Sequence, residues 1–130
     1  MKKICLTVSL VVLLLLSACQ GQPPAEMITG NVEIFTEDTS VLSEKISIKK
    51  GTAEEAILEA CQQKKIPYTL KNNMFDNFGG ISSTETEGWI LFINGELAQK
   101  GAYEIMLEDS FLVEFKYVNY DSIFGEVNSF

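Results

Sequence analysis

The apolar positions change their spacing several times along the chain, and each change marks an element. Val32, Ile34 and Thr36 alternate with Glu33 and Phe35, the period of two that a strand requires. After a Glu37-Asp38-Thr39 turn, a second strand is predicted over Val41 to Ile48, with Ile46 and Ile48 on one face and a break at Lys50-Gly51. The spacing then lengthens. Ala53, Ala56, Ile57, Ala60 and Cys61 fall at i, i+3, i+4, i+7 and i+8, the core stripe of an amphipathic helix predicted over 52–65. Thr52 with Glu55 three residues on has the form of a capping box, and Glu54 and Glu55 suit the positive end of the helix dipole. Lys64 and Lys65 suit the negative end, and Pro67 bars continuation.

Beyond the helix, Tyr68 to Leu70 reads as a short strand. Lys71 to Gly88 is polar and carries Asn72-Asn73 and Gly79-Gly80, with Met74, Phe75, Phe78 and Ile81 interspersed. A run from Trp89 to Ile93 follows, bounded by Gly88 and by Asn94-Gly95, a strong hairpin signal. Both faces of this run are apolar, so it is predicted to be central in a sheet or to keep one face for a partner. Tyr103, Ile105 and Leu107 alternate, Glu108-Asp109-Ser110 turns, and Phe111, Val113, Phe115 and Tyr117 alternate again, which predicts an antiparallel hairpin. Residues 119–130 show no strong period and are expected to form a tail. No internal repeat is present.

The first residues follow different rules. Lys2 and Lys3 precede a short aliphatic run from Val8 to Leu16, the layout of a secretory signal peptide. The run falls short of the ~20 residues of a spanning helix. Leu16-Ser17-Ala18-Cys19 then resembles the lipobox of bacterial lipoproteins. That resemblance implies cleavage before Cys19 and lipid, palmitate included, on its thiol. Two or more acyl chains are enough for stable anchoring. The expected organisation is a signal peptide over 1–18, a lipidated tether over 19–29 containing Pro23-Pro24, a folded domain over 30–118 and the tail over 119–130. The expected location is the extracytoplasmic face of a cell membrane.

Composition narrows the chemistry. Without the leader and its two lysines, eight lysines remain against eighteen carboxylates, a formal charge of −10. Such a surface, with no arginine, argues against nucleic acid as a partner. The chain has no histidine, and so lacks the usual general base and the commonest transition-metal ligand. Cys61 is the only cysteine left after processing, which excludes an internal disulfide. An intermolecular disulfide or a reactive thiol stays open, but its place in the helix stripe favours a small buried hydrophobe. Acidic pairs occur at Glu85/Glu87 and Glu108/Asp109, but nothing pairs a nucleophile with a base, and the spacing does not match an EF-hand loop. No catalytic residue and no metal ligand is assigned, and the chain is expected not to be an enzyme.

Strand, strand, helix and further strands is the order of an α+β, β-grasp-like mixed sheet with one packed helix. Gly88-Trp89-x-x-x-x-Asn94-Gly95, Lys100-Gly101-Ala102-Tyr103, Leu107 and Val113-Glu114-Phe115-x-Tyr117 resemble the transcobalamin-like C-terminal domain family, DUF4430. The helix after the Lys-Gly turn also fits, and the resemblance covers about Asn31 to Tyr117. Glu108-Asp109-Ser110 departs from the Asp-Gly-Asp common before the family's last strand, and Phe78-Gly79-Gly80-Ile81-Ser82 keeps its upstream pattern loosely. In transcobalamin and intrinsic factor, the resemblance implies a β domain that closes over cobalamin held by a helical barrel.

The expected domain over 30–118 leaves no room for such a barrel. The expectation is therefore a membrane-anchored, non-catalytic ligand-binding module that contributes to cobalamin or corrinoid binding together with a partner, either a membrane transporter or a corrinoid-binding protein. Trp89, Phe92, Asn94 and Gly95 are the candidate ligand-binding residues, with Trp89 as plain core the competing role. The alternative is a cell-surface protein-interaction module without a small-molecule ligand, which would display an apolar patch around Phe75, Phe78 and Trp89.

Overall fold

A computed structural model describes residues 25–125. Cys19, the leader, most of the tether and residues 126–130 lie outside the described residues. Among the described residues no helix is long and apolar enough to cross a membrane.

Two strands, β1 (Met27–Phe35) and β2 (Ser40–Lys49), form an antiparallel hairpin. β1 alternates as expected, with Ile28, Val32 and Ile34 buried. It begins within the segment expected to be tether, because Ile28 is an inward position paired with Ile48. Helix α1 (Ala53–Lys64) follows. Thr52 Oγ1 accepts the N–H of Glu55 at 3.3 Å. At the other end Lys65 takes a left-handed conformation (φ 55°), which lets Ile66 N–H reach back to the carbonyl of Cys61 at 2.9 Å. Every stripe residue from Ala53 to Cys61 is buried. Three of the five are alanines, so the helix axis can approach the sheet closely.

β3 (Tyr68–Lys71), β4 (Met74–Phe78) and β5 (Ile81–Ser82) form a small antiparallel sheet of their own. Most of this sheet falls where a polar loop was expected. The chain then enters β6 (Glu87–Ile93), turns at Asn94-Gly95, and returns as the two-residue β7 (Glu96–Leu97). The last strand, β8 (Phe111–Asn119), is followed by the short helix α2 (Tyr120–Phe124). The expected tail thus includes one turn of helix.

The main sheet has the order β2-β1-β8-β6-β7. β8 runs parallel to β1 and antiparallel to β6, so the fold is mixed α+β with one helix packed on its inner face, as anticipated. The hairpin expected between 103–107 and β8 is not formed. Ala102–Glu104 is a 3₁₀ turn, and the residues after it bond to the entry of α1: Ala53 N–H to Ile105 O and Leu107 N–H to Gly51 O, both at 2.9 Å. The cause is topological. Both edges of β8 are already taken by β1 and β6, which leaves no ladder for a third strand.

The inner face of the sheet is closed by two kinds of packing. α1 covers one part. The small sheet covers the other through aromatic rings: Phe75 stacks on Phe78 with centroids 5.0 Å apart, Phe78 meets Trp89 edge-on at 5.2 Å, and Phe115 packs against both phenylalanines. Such ring pairs contribute about 0.5–1.5 kcal/mol each beyond the area they bury.

Candidate binding cleft along the edge of β6

β7 pairs only with Phe92 and Ile93. Beside Trp89 the edge of β6 therefore has no strand neighbour. Backbone parity fixes which groups point there. Asn94 N–H bonds to Leu112 O on β8, and Leu91 O accepts Ala98 N–H on the opposite side. Residues 90 and 92 thus face β8, whereas the N–H and C=O of Trp89 face the open edge. Among the described residues neither has a partner. Glu87 O, two residues earlier, is already taken by Thr84 N–H at 2.7 Å.

An open cleft of about 490 Å³ runs along this edge, within the 300–1,000 Å³ usual for ligand sites. One wall is the β3–β4 turn, where Asn72 and Asn73 both adopt positive φ (54° and 63°) and lead into Met74. The facing wall is the segment from Leu97 to Tyr103. Trp89, Leu91 and Phe115 form the floor, and Phe124 of α2 closes one end. Met74, Tyr103 and Phe124 are exposed, Met74 by 67%. The cleft therefore offers apolar surface with a few polar groups at its edges: the Trp89 backbone pair, the amides of Asn72, Asn73 and Gln99, and the Lys100 ammonium. Among the described residues no three His, Cys, Asp or Glu side chains gather in a metal-ligating group.

The four candidate residues do not come together. Trp89 lies on the floor but is only 6% exposed, and its indole N–H donates to Ile81 O at 2.8 Å, which ties β6 to β5. Its ring is held between Phe78 and Tyr117. Phe92 points to the other face of the sheet, where the Lys116 ammonium sits 4.5 Å from its ring centroid. Asn94 and Gly95 are the turn between β6 and β7, with φ of 51° and 84°. The Asn94 carboxamide oxygen accepts Leu112 N–H at 2.9 Å, so it closes the end of the β6–β8 ladder.

Phe75 and Phe78, with Trp89 the patch expected of an interaction module, are 6% and 0% exposed and belong to the core. Sequence reasoning missed Met74, Tyr103 and the Asn72-Asn73 turn as cleft walls. The Asn-Asn dipeptide carried the usable signal, because asparagine tolerates the left-handed conformation that a tight hairpin needs.

Two groups near the core have shifted protonation. Burial pushes the Cys61 thiol up to about 11, which makes it unreactive at neutral pH. Tyr117 is held above the usual phenol range by desolvation first and then by the Glu87 carboxylate. It stays neutral and donates to Ser82 O at 2.9 Å, a second tie between the two sheets.

The family model described as "Domain of unknown function (DUF4430)" matches residues 51–119, from the entry of α1 to the end of β8. The chain belongs to the DUF4430 family. No curated protein matches the sequence. Among solved structures, this DUF4430 domain is similar to haptocorrin in complex with Cbi, with a TM-score of 0.67 at 13% identity over 76% of the chain. The match spans 27% of the haptocorrin chain. The domain is also similar to a proposed metal-binding protein from Ruminococcus gnavus ATCC 29149, with a TM-score of 0.56 at 12% identity, over 71% of this chain and 97% of that one. These likenesses establish a transcobalamin-like fold for the DUF4430 domain.

Proposed function

We propose that this DUF4430 domain is a non-catalytic ligand-binding module, and that its cleft receives one side of a corrinoid-class ligand whose other side is covered by a partner protein. The open edge of β6 supports this reading most: an apolar floor, exposed Met74, Tyr103 and Phe124 around it, and a Trp89 backbone N–H and C=O at its centre that have no partner among the described residues. A flat ligand with an apolar face and amide groups at its rim matches that arrangement. The likeness to haptocorrin in complex with Cbi favours the corrinoid class. The cleft covers one side only, so binding by this chain alone is weak, in the range of about 0.1–1 mM or about −4 to −5.5 kcal/mol.

The carboxylates tied to turns fit a binding role better than catalysis. Glu85, Glu108 and Asp109 are exposed, and Asp109 already accepts Thr29 N–H at 2.8 Å. On this proposal the module stands on the extracytoplasmic face of a membrane, held by lipid on Cys19, where it hands its ligand to a membrane partner.

Trp89 is the only tryptophan and forms the cleft floor, so its fluorescence reports occupancy. Titration with cobinamide is expected to quench it saturably, and Tyr103→Ala should weaken the effect severalfold. Quenching that never exceeds the inner-filter effect at millimolar cobinamide would overturn an autonomous site. For the anchor, Cys19→Ser should abolish labelling by radioactive palmitate in cells, and persistent labelling would refute it.

A further inference from the structure

The inner face of the main sheet is closed by α1 and the small sheet, whereas no described element lies across the middle of its outer face. On that outer face, Lys116 lies directly beside Ile90 on β6 and Phe35 on β1. Its ammonium is 4.5 Å from the Phe92 ring centroid and 5.8 Å from that of Phe35. Leu112 and Val118 continue the apolar surface along β8, each part-exposed. Two residues from Lys116, Glu114 stands directly beside Glu33 of β1 on the same face. Like charges opposite one another on a sheet are unfavourable. Among the described residues the ion pairs are Lys50–Glu108 and Lys64–Glu44, so these two carboxylates and Lys116 have no oppositely charged partner.

We propose that this face is a self-association surface, covered by a second copy of the chain through a two-fold axis that runs across the strands at the level of Phe115. The register makes the surface complementary to itself under that operation. Phe115 is level with Leu91 on β6, so rotation sets Ile90 against Phe92 of the other copy and Leu112 against Val118. It also sets Lys116 of each copy against Glu114 of the other. Two sheets packed face to face lie about 10 Å apart, a gap that a lysine and a glutamate side chain can bridge. An isologous contact of this kind places every pair twice. Among the described residues a monomer leaves these two adjacent carboxylates without a cation, Glu33 accepting only the Ser43 hydroxyl at 3.4 Å; the dimer brings a cation to each side of the axis.

The face has limited area. β8 is nine residues long, about 30 Å, and the four strands from β2 to β6 span about 14 Å between their axes. This places the contact at the small end of specific interfaces, so the dimer is expected to form at tens of micromolar.

The test uses charge exchange. Sedimentation velocity of the full chain in neutral detergent should show a concentration-dependent monomer–dimer equilibrium. Lys116→Glu and Glu114→Lys should each weaken it by about tenfold or more, since each sets like charges together twice. An equimolar mixture of the two variants should recover dimer to within about threefold of wild type, because each contact in the mixed dimer again joins lysine to glutamate. Loss of fold cannot produce that recovery, and far-UV circular dichroism of each variant checks it independently. A wild-type chain still monomeric at about 200 µM overturns the proposal and leaves the face to a different partner. So does a mixture no more dimeric than its components.

Discussion

The two parts of the sheet's inner face are closed by opposite means. Against β1 and β2 lies α1, whose contact residues are mostly alanine and all buried. Against β6 and β8 lies the small sheet, whose Phe75 and Phe78 rings pack on Trp89 of β6 and Phe115 of β8. Small side chains let a helix approach a sheet and fill space with backbone, leaving little room for a ligand. Large rings hold two sheets apart at fixed distances, and the gap at their margin is the cleft. The part with the larger side chains is therefore also the part with the cleft. Its stability depends on a few rings, whereas the helix side depends on the absence of bulk.

The aromatic side is most sensitive at Phe78, which touches Phe75, Trp89 and Phe115 and is fully buried. Phe78→Ala is expected to cost about 3–5 kcal/mol in denaturant unfolding, because the rigid rings around it cannot collapse into the cavity. On the helix side the opposite substitution is the damaging one: Ala60→Leu should cost about 1–3 kcal/mol through overpacking.

Cys61 gives the helix side a pH signature of comparable size. Its thiol is raised from 9.0 to about 11, so its contribution is fully present below pH 9. Between pH 9 and 11 the unfolded chain loses this proton while the native state keeps it. Stability should fall there by up to about 3 kcal/mol, and Cys61→Ala should remove that part of the slope in chemical denaturation across the same range.

The smallest expected stability effect is at the cleft rim. Met74→Ser should change stability by less than about 0.5 kcal/mol, since the side chain is 67% exposed, yet weaken quenching of Trp89 by cobinamide. A large loss of stability there would mean that Met74 supports the aromatic cluster rather than the cleft.

The helix side was legible in the sequence because its signals are local. The stripe, the Thr52 cap and Pro67 bound α1 to within one residue of its observed ends. The aromatic side was not legible, for a reason visible in β4. Phe75 and Phe78 are three residues apart, a spacing that contradicts a strand, yet both are buried. The register shifts between Thr69 and Leu70, so Leu70 pairs with Phe75 and Thr69 with Asn77, leaving Asp76 as the extra residue of a bulge. The bulge turns both rings to the same side and hides the period of two. Tyr103 to Leu107 failed in the other direction: its alternation is regular, but no sheet edge was free to receive it. Of the candidate site, Trp89 was legible as an aromatic on an apolar strand. The cleft walls were not, because Met74 and Tyr103 come from segments 29 residues apart that only the tertiary fold brings together.

Among the described residues β8 is the last strand in sequence and the middle one of the main sheet in space. A chain emerging from a ribosome or a translocation pore in sequence order cannot assemble this sheet piecemeal, since the β1–β2 hairpin and the β6–β7 hairpin share no edge until residues 111–119 appear. Closure of the sheet is thereby deferred until β8 has emerged. A premature stop before Phe111 would divide the sheet at its centre rather than trim its margin.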